Sequence, residues 1–271
     1  MFQPLQQIDY QTFLSFGDDL VGQTRELILS LWERESIKSV LKDDQTPVSE
    51  VDLACEELAR SLIRNRFPDH GIIGEELGAE YSDAEFVWTI NPIDGTQNLV
   101  NRIPTFGTIL GLLHRGRPIL GWIDHPVLGE FLHGGPETGT FRNEKRVVLD
   151  DLATPNLSPS DVIATNCPST FERGGHLDVL WTILKFHPHV RIYYDVYSHS
   201  LAVVGSLAVM VEYNLKIWDL SASQALIEGA GGRYHELGRN EISGKPTMYH
   251  AAFGKKRAVE LISAAILGRE S

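Results

Sequence analysis

Cysteine is scarce. The chain has 271 residues and only Cys55 and Cys167, too few and too far apart for a disulfide framework or a Cys-x-x-Cys pair. That scarcity favours a reducing compartment, and a cytoplasmic location is expected. Long apolar runs are also missing: the longest, near Leu201 to Val211, is too short to span a bilayer and is broken by Gly205 and Ser206. The N-terminus shows no basic stretch followed by an apolar one, so no signal peptide is expected. Positive charge is in deficit, with 24 Lys and Arg against 36 Asp and Glu and a net charge of −12. A nucleic-acid or anionic-membrane surface would cluster Lys and Arg, so neither partner is expected. The basic run Lys255 to Arg257 reads as a solvated face, and His114, His125, His133, His187 and His189 lack the spacing of a closed zinc site.

What is present describes an ordinary globular protein: 42% of residues are apolar and 22% charged. Phe13, Phe16, Leu20, Leu27, Ile28 and Leu31 recur at helical spacing and predict an amphipathic helix from about Tyr10 to Glu35. After a polar loop, Ser49 with Asp52 three residues later resembles a capping box, and Val51 to Ile63 continues an apolar stripe. Ile72 and Ile73 make a short strand into Glu75 and Glu76. From Thr105 to His133, apolar runs separated by Arg-Gly-Arg-Pro and Leu-Gly-Glu predict an antiparallel meander. The polar stretch Asp150 to Ser160 divides the chain into an N-terminal α+β half, 1–150, and a C-terminal α/β half, 151–271. In the second half, strands are expected at Val162–Thr165, Val190–Tyr194 and Ala208–Val211. Helices are expected at His176–Phe186, Ser198–Val204, Trp218 to the Gly231-Gly232 stop, and Lys255–Leu267.

Three motifs place carboxylates at element edges. Gly-Glu-Glu occupies 74–76, Pro-Ile-Asp-Gly-Thr occupies 92–96 after the apolar run Phe86 to Ile90, and Trp-Asp occupies 218–219 ahead of Gly231-Gly232. Each alone is ordinary turn, surface or capping chemistry. Together they deliver a buried strand into a tight turn carrying Asp94 and Thr96, and in open α/β sheets ligands bind at such strand ends.

In this order the motifs resemble the inositol monophosphatase superfamily of Mg²⁺-dependent, lithium-sensitive phosphatases, over nearly the whole chain. The resemblance implies an α/β fold, a layered α/β/α/β sandwich, with two or three Mg²⁺ ions between its halves, and a homodimer. It assigns Glu75, Asn91, Ile93 (through its carbonyl), Asp94 and Asp219 to the metals, and Thr96 with Asp44 to the attacking water. Hard cations need oxygen ligands, and a cation on both phosphate and water permits direct in-line attack on a small phosphate monoester. The backbone N–H groups of Gly95 and Thr96 would hold the phosphate.

Asn91 departs from the family, which carries aspartate there. An amide has one neutral carbonyl oxygen and an NH₂ that donates, so it cannot bridge two cations as a carboxylate does. Turnover is expected to fall by about a hundredfold or more. Because the other motif residues are intact, Asn91 reads as an inactivating substitution that traps a substrate, ahead of a natural homologue without activity or a variant with altered metal use. On the substrate side, Tyr194 to Leu201, Leu215 to Asp219 and Gly121 to Glu130 resemble the histidinol-phosphatase branch of histidine biosynthesis, although that branch has Gly-Asp at 194–195 and cysteine at 196. Asp195 and Glu212 would face the leaving alcohol, and two carboxylates suit an ammonium. Inositol or another sugar alcohol is the alternative leaving group.

Overall fold

Two central strands, Gly107–His114 and Arg117–His125, alternate large and small residues on opposite faces. Leu110, Leu112, Leu120 and Trp122 point one way and join a core with the helices Tyr10–Trp32 and Glu50–Arg66. Ile109 and Ile123 point the other way, beside Gly111 and Gly121. At Gly121 a Cβ would sit 2.5 Å from the Ala222 carbonyl, and at Gly111 one would sit 2.3 Å from Ser221 Oγ. Glycine at these positions lets the helix Ile217–Gly229 lie against the sheet. This computed structural model describes residues 8–42 and 47–268.

The large sheet has eight strands, in the spatial order Lys145–Val147, Gly139–Arg142, Glu130–Gly135, Arg117–His125, Gly107–His114, Phe86–Asp94, Gly71–Gly74 and Gly78–Glu80. All neighbours are antiparallel except Gly71–Gly74 with Phe86–Asp94. The expected meander is there. A five-stranded sheet follows in the order Val190–Arg191, Ile163–Thr165, Val209–Leu215, Met248–Gly254 and Arg233–Asn240. Residues 148–162 carry no regular element and run from one sheet to the other.

Helices Asp195–Val203 and Ile217–Gly229 fill the space between the sheets, with Val196, Ala202, Leu220, Ala222 and Leu226 meeting Ile109, Ile123, Met210 and Phe253. The far face of the small sheet is covered by Leu177–Phe186 and Lys256–Leu267 through Leu180, Ile183, Val259 and Ile262. Helix and sheet layers therefore alternate, as the family resemblance implies.

The first helix stops at Trp32 rather than Glu35. The expected strand at Val190–Tyr194 pairs only over Val190–Arg191, and the next helix begins at Asp195 rather than Ser198. Strands Arg233–Asn240 and Met248–Gly254 have no counterpart in the sequence reading.

Candidate active site

Strand Phe86–Asp94 is paired on both edges within its sheet, and its buried run Val87–Ile93 fixes where Asp94 emerges. Between Asn91 and Asp94 the pairing with Gly107–His114 shifts register, and the Thr108 hydroxyl holds the Pro92 carbonyl at 2.8 Å. Gly95 then takes φ +89°, a left-handed conformation that turns the chain into the short helix Thr96–Val100. Thr96 is buried, and its hydroxyl donates to Asp52 Oδ1 at 2.8 Å and lies 3.2 Å from the Ile93 carbonyl.

Asp52 is the acid the sequence reading missed. Asp44, the expected partner of Thr96, lies outside the described residues. Asp52 completes the capping box of helix Glu50–Arg66, its Oδ2 taking the Ser49 N–H at 2.9 Å. That uses one carboxylate oxygen and leaves Oδ1 for Thr96. Burial raises the Asp52 pKa, and the hydrogen bonds from Ser49 and Thr96 oppose the rise.

Three segments bring the other acids together. Asp219 lies in the first turn of helix Ile217–Gly229, where its Oδ2 accepts from the Lys216 N–H at 2.9 Å. Asp94 Oδ1 accepts from the Val196 N–H at the start of helix Asp195–Val203. Asn91 joins the two: its side-chain nitrogen donates to Asp94 Oδ2 at 3.1 Å and to Asp219 Oδ1 at 2.9 Å. Burial and the charge of Glu75 push the Asp219 pKa up to about 7. Asp94 is raised well above the usual carboxylate range by burial and by the charges of Asp195 and Asp219. Glu75 follows strand Gly71–Gly74, with its N–H on the Ile90 carbonyl at 3.0 Å. Lys42, also missed in the sequence, donates to Glu75 at 3.0 Å and to Glu76 at 2.7 Å. Burial, opposed by that Lys42 bond, pushes the Glu76 pKa up to about 7.

The donor set is all oxygen, which suits a hard cation such as Mg²⁺ rather than a soft one. Asn91 Oδ1 is buried with no hydrogen-bond partner, an acceptor a cation would satisfy. No three His, Cys, Asp or Glu side chains among the described residues close round one ion; the Asn91 amide donates to Asp94 and Asp219, and the Lys42 ammonium pairs with Glu75. The residues therefore fit the metal in kind, as ligands from three segments rather than as a finished cage.

On the substrate side, Asp195 starts its helix at φ +52° after Tyr194 at φ +58°, and its Oδ2 accepts from Asn98 Nδ2 at 3.0 Å. Glu212 is buried on strand Val209–Leu215. Its Oε1 takes the His199 Nε2 hydrogen bond at 3.1 Å, His199 Nδ1 meets Ser223 Oγ at 2.8 Å, and Glu212 Oε2 has no partner. Burial raises the Glu212 pKa and His199 opposes it, with the Asp195 charge adding to the rise. Asp219 and Lys216 line an open cleft of about 600 Å³.

With a metal-type acid set, a hydroxyl held by a buried acid, and the two sheets in place, the decisive comparison is the family one. Residues 9–266 match the model of the inositol monophosphatase family. The chain belongs to that family. Its relatives include a histidinol-phosphatase of Chlorobaculum parvum, 33% identical over 81% of this chain and 83% of that protein. The bifunctional phosphatase IMPL2 of Arabidopsis thaliana is 33% identical over 84% of this chain, which spans 65% of the plant protein's length. A fructose-1,6-bisphosphatase/inositol-1-monophosphatase of Aquifex aeolicus is 31% identical over 76% of this chain and 77% of that protein. Among solved structures, the SuhB protein of Bartonella henselae superposes with a TM-score of 0.81 at 22% identity, covering 94% of this chain and 98% of that one. The inositol monophosphatase of Anabaena gives 0.79 at 21%, covering 96% and 97%. These structural likenesses establish the inositol monophosphatase fold for the chain.

Proposed function

We propose that this member of the inositol monophosphatase family is a Mg²⁺-dependent phosphate-monoester hydrolase, with histidinol phosphate as its substrate. The observation that carries the reading is the Thr96 hydroxyl, donating to Asp52 at 2.8 Å beside the acids Glu75, Asp94 and Asp219. Because that hydroxyl gives its hydrogen to Asp52, its lone pairs are left to accept one from a water and aim it. Gly95 and Thr96 offer backbone N–H groups to a phosphate oxygen. Mg²⁺, bound through Glu75, Asp94, Asp219 and the Ile93 carbonyl, would neutralise the ester phosphate and make hydroxide accessible near neutral pH. Two or three ions and lithium inhibition belong to this reading.

Asn91 limits it. Its amide hydrogens occupy the interval between Asp94 and Asp219 where positive charge is needed. The chain then binds ester better than it turns ester over, as a substrate trap does, and a homologue without activity is the alternative from a different class. Assay of Asn91→Asp with Mg²⁺ on a panel of phosphate monoesters tests both. A rise of about a hundredfold is expected, and unchanged activity rules out the trap.

The leaving group is read from Glu212 and Asp195. A buried carboxylate oxygen without a partner suits an ammonium, and the histidinol-phosphatase of Chlorobaculum parvum agrees with that choice. Inositol or another sugar alcohol is the second reading, because the same oxygens accept hydroxyls. The two cysteines are unpaired, in keeping with cytoplasmic action. A homodimer would cover Trp181, Leu184 and Phe186, which are exposed on one helix.

A further inference from the structure

Helix Glu50–Arg66 carries Asp52, Glu56, Arg60 and Arg64 at four-residue spacing, hence along one face. The first three are 1%, 0% and 2% exposed, a depth at which charged residues survive only with partners. Asp52 meets Thr96. One turn on, Glu56 Oε2 accepts the Glu76 N–H at 2.8 Å, and Oε1 accepts the Leu77 N–H at 3.1 Å and Arg60 Nε at 2.9 Å. A further turn on, Arg60 reaches Glu80 Oε1 at 2.9 Å and also donates to the Gly78 carbonyl. Arg64 Nε completes the row on Glu80 Oε2 at 3.1 Å. The carboxylate and guanidinium thus hold the three residues that follow Glu75, Glu76 to Gly78, against the helix. Gly74 is fitted to them, since a Cβ there would stand 1.9 Å from Glu56 Oε1.

We infer that Glu56 is a positioning residue for the metal site: it fixes the turn bearing Glu75 against the same rigid helix that holds Thr96 through Asp52, so one helix face sets the separation of the two. This rests on the metal-dependent reading above. Glu56→Gln removes the charge and one of the two acceptor oxygens, and turns an NH₂ toward the Glu76 and Leu77 amides or Arg60, so at least one of these donors loses its partner and the turn is seated less firmly.

The test is Mn²⁺ binding by calorimetry on the parent chain and on Asn91→Asp, each with and without Glu56→Gln. Hydrogen exchange at the Glu76 and Leu77 amides is followed in parallel. Glu56→Gln should weaken Mn²⁺ binding by about 10- to 100-fold. It should also speed exchange at those two amides while leaving the Tyr10–Trp32 helix unchanged. If Glu56→Gln does not fold, Arg60→Lys, which keeps the charge but loses the forked reach, should show a smaller loss in the same direction. Folded variants that bind Mn²⁺ as tightly as their parents overturn the inference alone. Parents that take up no Mn²⁺ overturn the metal reading and the inference with it.

Discussion

Thr96 gives its hydroxyl hydrogen to Asp52 at 2.8 Å, and Asp52 is simultaneously the residue that closes the cap of its own helix. The two duties use different carboxylate oxygens, so Asp52→Asn cannot keep both: its NH₂ must face either the Thr96 hydroxyl or the Ser49 N–H. On the Asn91→Asp background, kcat should fall about a hundredfold or more, with Mn²⁺ affinity little changed. Where the NH₂ instead faces the Ser49 N–H, loss of the cap should cost about 1 kcal/mol. Steady-state kinetics beside calorimetry separate the effects, and an unchanged kcat would remove Asp52 from the reaction.

Stability of the metal-free protein should fall as pH rises. Native Asp219 keeps its proton to about 7, against an ordinary value of 3.8, and Asp94 is raised in the same direction. From about pH 4 to 7 the unfolded chain has released protons that the native chain retains, so rising pH favours unfolding across that window, and the effect levels off above it. Buried Asp52, Asp124 and Glu212 are also raised and add to the same slope. Melting curves in EDTA should show Tm dropping over this range. Saturating Mg²⁺, which favours the ionised carboxylates, should flatten or reverse the trend, and equal slopes with and without Mg²⁺ would argue that no cation binds these acids.

Much of this site can be read in the sequence, for identifiable reasons. The apolar run Phe86 to Ile90 ending in Pro and Asp-Gly announces a buried strand and a turn, and the structure puts Asp94 and Gly95 there. Asp52 was hidden because a capping box accounts for it completely; only the fold shows that one oxygen is left over. Lys42 sits in a polar loop whose contact with Glu75 is a matter of tertiary approach. Strand Arg233–Asn240 escaped because its residues are polar and partly exposed, leaving no apolar alternation to recognise. Conversely, Val190 to Tyr194 looks like a strand by composition, yet among the described residues its pairing ends at Arg191.

Tyr194 carries local strain that can be relieved. It combines φ +58° with ψ 141°, a region that residues with a Cβ rarely adopt, and the residue is 51% exposed, so little packing depends on it. Such strain costs about 1–3 kcal/mol, whereas glycine gives back about 0.5–1 kcal/mol through its freer unfolded chain. Tyr194→Gly should therefore raise Tm by about 2–4 °C. A lower Tm in thermal melts would mean that the tyrosine ring contributes more than its backbone costs.

Glu212 offers the sharpest discrimination between leaving groups. Its Oε1 is committed to His199, which Ser223 holds from the other side, while Oε2 is buried without a partner. An ammonium placed there would gain a charge-assisted hydrogen bond worth about 1.5–3 kcal/mol. A hydroxyl would gain a bond to the same carboxylate but not the attraction of a second charge, and so less. Glu212→Gln keeps the size and one acceptor but removes the charge, so on the Asn91→Asp background kcat/KM for histidinol phosphate should fall about 10- to 100-fold. For inositol 1-phosphate it should fall only a few-fold. Equal losses on the two esters would make Glu212 a support for His199 rather than a substrate contact. A greater loss on the inositol ester would favour the sugar-alcohol reading, because only a ligand that uses the carboxylate through hydroxyl donors would then depend on it more.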